Sequence, residues 1–92
     1  MITIDDKKYE ILNDVRGGFD SDAFKEKYTE YFESFDYIVG DWAYGKLRLK
    51  GFNDKTNPNF NKINDASTID SYIKDYCAYG CKYFVLKRIK VE

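Results

Sequence analysis

Apolar positions along residues 19–35 recur with a helical period. Phe24, Tyr28, Tyr31, Phe32 and Phe35 stand at i, i+4, i+7, i+8 and i+11, which is one face of a helix. Asp20 supplies an N-cap, and Phe19 and Phe24 flank it as a hydrophobic staple. Glu26, Glu30 and Glu33 fall off the stripe, toward water. A second helix is predicted from Ser67, with Asp70 three residues on and with Ile69, Tyr72, Ile73, Tyr76 and Cys77 at i, i+3, i+4, i+7 and i+8. Gly80 stands where a left-handed C-terminal residue belongs.

Elsewhere the pattern is that of strands. Lys8–Leu12 reads as a short strand with Ile2–Ile4 as its partner, and KYFVLKRIKV from Lys82 reads as a long one. Between them, Tyr37 to Phe52 (YIVGDWAYGKLRLKGF) reads as a hairpin turning at Tyr44-Gly45. A two-residue loop there pairs Ala43 with Lys46, Trp42 with Leu47 and Asp41 with Arg48. Slipping by one residue would send every side chain to the opposite face. Ile38, Gly40, Trp42, Leu47, Leu49 and Gly51 then share an apolar face, and the two glycines leave room for a large ring. Asp41 and Arg48 form a cross-strand ion pair, the kind worth roughly 0.2–1 kcal/mol. Residues 53–66, NDKTNPNFNKINDA, make a long polar loop that carries the chain's one proline, Pro58.

The order β-α-β-β-α-β predicts an α+β fold, with both helices on one face of a mostly antiparallel sheet, as in the ferredoxin-like split βαβ. In that topology the last strand lies at an edge, although it is the most apolar strand of the chain. The expected core is Trp42, Leu47, Leu49, Phe24, Tyr28 and Ile73. The opposite sheet face is then open. It would carry Tyr37, Lys46, Arg48, Lys50 and Phe52 from the hairpin, and Lys82, Phe84, Arg88 and Lys90 from the last strand. Lys8, Glu10 and Leu12 would join them from the first strand. Aromatic rings among cations suit stacking on unpaired bases and contact with phosphates. They also suit a protein partner or a second copy of the chain.

Composition limits the chemistry. Ninety-two residues make a single domain, 1–92, and at 43% apolar and 18% aromatic it has ample material for one core. No apolar run approaches the roughly 20 residues that span a bilayer, and MITIDDKKYE has no apolar signal core, so a cytoplasmic protein without a membrane role is expected. The net charge of −1 offers no overall attraction to polyanions, yet the chain is polarised. Residues 20–36 carry −4, whereas 37–52 carry +2 and 82–92 carry +3. The absence of histidine removes the commonest general base and metal ligand. Cys77 and Cys81, four apart, match neither a redox pair nor half of a zinc site, so they are expected to be buried free thiols. No metal and no cofactor is expected.

The run DYIVGDWAYGKLRLKGF (Asp36 to Phe52), with YCAYGCKYFVLK (Tyr76 to Lys87) and FDSDAFKEKY (Phe19 to Tyr28), resembles the YutD-like family of small proteins from Gram-positive, low-GC bacteria. Ala43 and Lys46 stand where that family is expected to have glycine and glutamine. The resemblance implies a cytosolic bacterial protein and supplies no catalytic residue, cofactor or partner. The leading expectation is a non-enzymatic binding or regulatory module that uses the basic, aromatic sheet face. A single-stranded RNA or DNA binder is the first alternative. The second is a small enzyme or accessory subunit with a site at the Asp41–Gly45 turn.

Overall fold

The computed structural model describes residues 2–4, 6–76 and 81–89. Its strands are β1 (Ile2–Ile4), β2 (Lys7–Val15), β3 (Tyr37–Ala43), β4 (Lys46–Phe52) and β5 (Tyr83–Ile89). Its α-helices are α1 (Ser21–Lys27) and α2 (Ile69–Tyr76), and 3-10 helices cover Glu30–Ser34 and Ala66–Thr68. Every strand pairing is antiparallel, in the order β1-β2-β5-β3-β4. The fold is α+β, as expected. Cys77, Gly80 and Lys90 lie outside the described residues.

The arrangement of layers differs from the ferredoxin-like expectation in two ways. First, β5 lies inside the sheet, between β2 and β3, and not at an edge. Phe84, Val85 and Leu86 are consecutive and all buried, so β5 needs cover on both faces and a neighbour on both sides. Second, the helices take opposite faces. Phe24 and Tyr28 at α1 pack with Tyr9, Ile38, Leu47, Phe84 and Leu86. Ile69, Tyr72 and Ile73 of α2 pack on the other side against Val39, Phe52 and Val85.

The first helix is also shorter than its apolar stripe. Asp20 caps it, its Oδ1 accepting from the N–H of Asp22 and of Ala23 at 3.0 and 3.1 Å. Tyr28 and Thr29 are already extended, and a 3-10 helix follows. Aromatic and β-branched residues are weak helix formers, and here packing on the sheet competes with helix continuation. The Tyr28 and Tyr9 hydroxyls lie 2.9 Å apart, and the Phe35 ring fills the space beside Gly51. Tyr31, expected on the buried stripe, is 69% exposed instead. Burial, and then the bond to Tyr28, push the Tyr9 hydroxyl pKa well above the ordinary phenol range.

The polar loop is held by its own asparagines. Asn53 is buried, and its Oδ1 accepts from the Asp36 N–H and from Asn57 Nδ2. Asn61 Oδ1 accepts from the N–H groups of Ile63 and Asn64, and Asn64 Oδ1 accepts from the Asn61 N–H. These side chains supply the bonds that a regular ladder would otherwise provide. Asp65, not Ser67, caps the following turn. The Ser67 N–H and then the Ser67 hydroxyl donate to its carboxylate and hold its pKa below the usual range.

Candidate functional site

The hairpin forms in the expected register, with Ala43 opposite Lys46, Trp42 opposite Leu47 and Asp41 opposite Arg48. Tyr44 and Gly45 have φ of 54° and 75°, the paired left-handed conformation of a type I′ turn. Tyr44 is fully exposed at the tip. Gly40 and Gly51 admit the rings of Phe84 and Phe35.

Residues directly opposite in a sheet share a face, so the pairing of β5 decides which of its side chains join the hairpin's cations. Phe84 lies opposite Gly40 and Leu86 opposite Ile38, which puts both on the α1 face; Phe84 is wholly buried there. Arg88 pairs with Tyr9 and shares that face. Lys82 precedes β5 and holds its Nζ 5.0 Å from the centre of the Trp42 ring. The continuous face expected from Tyr37, Lys46, Arg48, Lys50, Phe52, Lys82, Phe84, Arg88 and Lys90 is therefore not assembled. The correction is one of parity, since β5 is apolar on both sides and its alternation carries no signal of which side faces α1. Lys87, which the sequence pattern passed over, takes the hairpin-cation side opposite Tyr37.

Nor is that face open, because α2 covers its centre. Phe52 is 1% exposed beneath Tyr72, and Lys50 Nζ sits 5.4 Å and 5.6 Å from the Phe52 and Tyr72 ring centres. Tyr37 is half-buried, while Lys46 is exposed. Of the expected core residues, Phe24, Tyr28 and Leu47 are buried, and Leu49 and Ile73 are half-buried. Trp42 is half-buried as well, with its Nε1 donating to the Gly18 carbonyl at 2.7 Å.

The Asp41–Arg48 pair is more than a surface contact. Asp41 is 2% exposed, against 48% for the Arg48 side chain. Arg48 donates through Nε at 3.1 Å and through Nη2, both to Asp41 Oδ2. That bond and the carboxylate's charge raise the guanidinium pKa above its usual value. Asp41 Oδ1 is buried without a hydrogen-bond donor among the described residues. Cys81 is disulfide-bonded, which corrects the expectation of a free thiol at that position. Among the described residues no cluster of three or more His, Cys, Asp or Glu could hold a metal ion.

Grooves formed by the described residues include four of note. Two, of about 450 and 460 Å³, share Asp54 and flank β5, the first beside Leu12 and Asp70 and the second beside Glu10 and Arg88. The other two, of about 210 and 260 Å³, flank β4 and share Lys50 and Ile63. Tyr31, Phe32, Phe35 and Leu49 line the smaller, and Tyr72, Ser71 and Asp75 the larger. Ile63 is 78% exposed where these two meet. Neither Tyr31 nor Ile63 was singled out from the sequence as a surface anchor. No residue of the Asp41–Gly45 turn lines any of the four.

Residues 3–87 match the family model described as "Putative antitoxin YutD-like". The chain belongs to the YutD-like family. A family member from Bacillus subtilis (strain 168), named "Putative antitoxin YutD", is 48% identical over 90 residues, spanning 98% of this chain and 99% of that one. The solution NMR structure of protein yutD from B. subtilis matches with a TM-score of 0.81 and 48% identity, covering 100% of this chain and 84% of that one. No helix among the described residues is long and apolar enough to cross a membrane.

Proposed function

We propose that this chain is a non-enzymatic protein-binding module that regulates its partner by docking to it. The observation that carries the reading is the groove between the Glu30–Ser34 helix and the 53–66 loop, where Phe32, Phe35 and Leu49 lie beside Tyr31 and Ile63, which are 69% and 78% exposed. Large side chains left in water beside a formed groove are the kind of anchor that protein interfaces bury. The name of the B. subtilis relative directs the reading further: the partner is a toxin, and this chain neutralises it by occupying its surface. The separation of the β4 cations from Lys82, Phe84 and Arg88 favours a protein over a single-stranded nucleic acid, which needs a continuous track of rings and charge. The Asp41–Gly45 turn favours docking over catalysis, because the Asp41 carboxylate is buried and held by Arg48.

The test is capture by the tagged chain from B. subtilis lysate, with and without nuclease, followed by reconstitution from purified components. A protein that survives nuclease, forms a stoichiometric complex on size exclusion, and arrests growth unless this chain is co-expressed would agree with the reading. Capture that vanishes with nuclease, or a captured protein that forms no complex when purified, would refute it.

A further inference from the structure

The backbone of β4 shows how such a partner could be held. The Trp42 N–H donates to the Lys82 carbonyl at 3.1 Å, so Trp42 faces β5 and its neighbours Asp41 and Ala43 face β4. In an antiparallel ladder their partners Arg48 and Lys46 then bond inward, and the alternate residues Leu47, Leu49 and Gly51 turn their N–H and C=O groups outward. β4 is the last strand of the sheet, and these outward groups bond to no described backbone. The next outward residue, Asn53, is already engaged. Its N–H donates to the Asn64 carbonyl, and its own carbonyl accepts from the Ala66 N–H, in a one-residue parallel bridge. The loop therefore makes the first rung of a sixth strand and stops.

An added strand would project side chains alternately to the two sides of the sheet, and a groove waits on each. Tyr31, Phe32, Phe35 and Leu49 line the one on the α1 side. The groove on the α2 side is lined by Lys50, Tyr72 and Asp75. Lys46 and Lys50 reach the α2 side with no carboxylate bonded to them among the described residues. We infer that the β4 edge takes an extended partner segment in which acidic residues, facing Lys46 and Lys50, alternate with apolar ones facing Leu47 and Leu49. This deepens the protein-binding reading and rests on it. A second copy of the chain is a poor occupant, because antiparallel β4–β4 pairing centred on Leu49 would set Lys50 opposite Arg48 of the other copy. Like charges directly opposite are destabilising, and cations at an edge are a usual guard against self-pairing.

The test titrates the isotope-labelled full chain with an acetylated, amidated peptide of about eight residues in which glutamate alternates with valine. Its control has the same composition with the glutamates grouped together. The expected result is amide shifts at Leu47–Gly51, Tyr31 and Ile63, and exchange at Leu47, Leu49 and Gly51 slowed about tenfold or more. Lys46→Glu and Ile63→Asp, both at exposed positions, should each weaken binding about tenfold with folding unchanged. Three results overturn the proposal: those three amides unprotected at saturation, equal binding of the two peptides, or edge protection by oligouridylate where the peptide gives none. Sedimentation of the free chain as a dimer with those amides already protected also overturns it, in favour of a second copy. A reconstituted protein complex that forms equally well with Ile63→Asp, and leaves the three amides exchanging as in the free chain, overturns the edge proposal while the protein-binding reading stands.

Discussion

Replacing Gly40 with alanine tests the parity of β5, on which the whole site depends. An ideal Cβ at Gly40 would lie 2.1 Å from Cζ of Phe84 and 2.4 Å from Cε1. Ordinary carbon contacts are about 3.5–4.0 Å, so the ring must retreat by more than about an ångström. It has little room to do so, because Phe84 is wholly buried, with the Phe19 ring centre 5.1 Å away and that of Phe24 6.1 Å away. Overpacking of this kind costs about 1–3 kcal/mol, offset by about 0.5–1 kcal/mol because alanine suits a strand better than glycine. A net loss of about 1–2 kcal/mol should lower Tm by roughly 4–16 °C in a domain of this size. Urea unfolding of Gly40→Ala, Phe84→Leu and the double variant completes the cycle. The smaller residue at 84 should relieve the clash, giving a coupling of about 1 kcal/mol or more. A Gly40→Ala variant as stable as the parent, or strict additivity in the double variant, would mean that Phe84 does not lie over Gly40, and the division of cations between faces would fall with it.

Arg48→Met should destabilise by about 1–3 kcal/mol at neutral pH, because the buried Asp41 carboxylate loses its cation, with the figure held down by the half-exposed guanidinium. Adding Asp41→Asn should recover much of that loss, and denaturation of the four combinations would reveal additivity if the pair is unimportant. Asn53→Ala should cost about 1–3 kcal/mol by leaving the buried Asp36 N–H without its acceptor, and limited proteolysis should then cut within 53–66 sooner. The Tyr9 pKa is raised in the folded state, so above about pH 10 the unfolded chain binds fewer protons and stability falls as pH rises. The extra slope is at most about 1.4 kcal/mol per pH unit, and Tyr9→Phe should flatten the pH 9–11 stability profile; an unchanged slope would count against the buried hydroxyl pair.

What could be read from the chain was local. The hairpin register follows from an alternation of period two between Tyr37 and Phe52, because only one pairing keeps Trp42 and Leu47 together on an apolar face. The Asp20 cap and the Phe19–Phe24 staple depend on neighbours a few residues away, and the space at Gly40 and Gly51 follows from the missing side chains. The α+β class needed only the order of elements. The tertiary structure decided whatever depended on distant partners. Phe84, Val85 and Leu86 are apolar on both sides, so only pairing with β3 sets which of them faces α1 and places β5 inside the sheet. That placement sends the helices to opposite faces and divides the cations that had looked continuous. The stripe from Phe24 to Phe35 satisfies a helix and a broken chain equally well until Tyr9 and Gly51 offer places for Tyr28 and Phe35. The β4 edge was in view throughout as the stretch of hairpin from Lys46 to Phe52, but that it is an edge, with a groove on either side, comes from strands and loops far away in the chain.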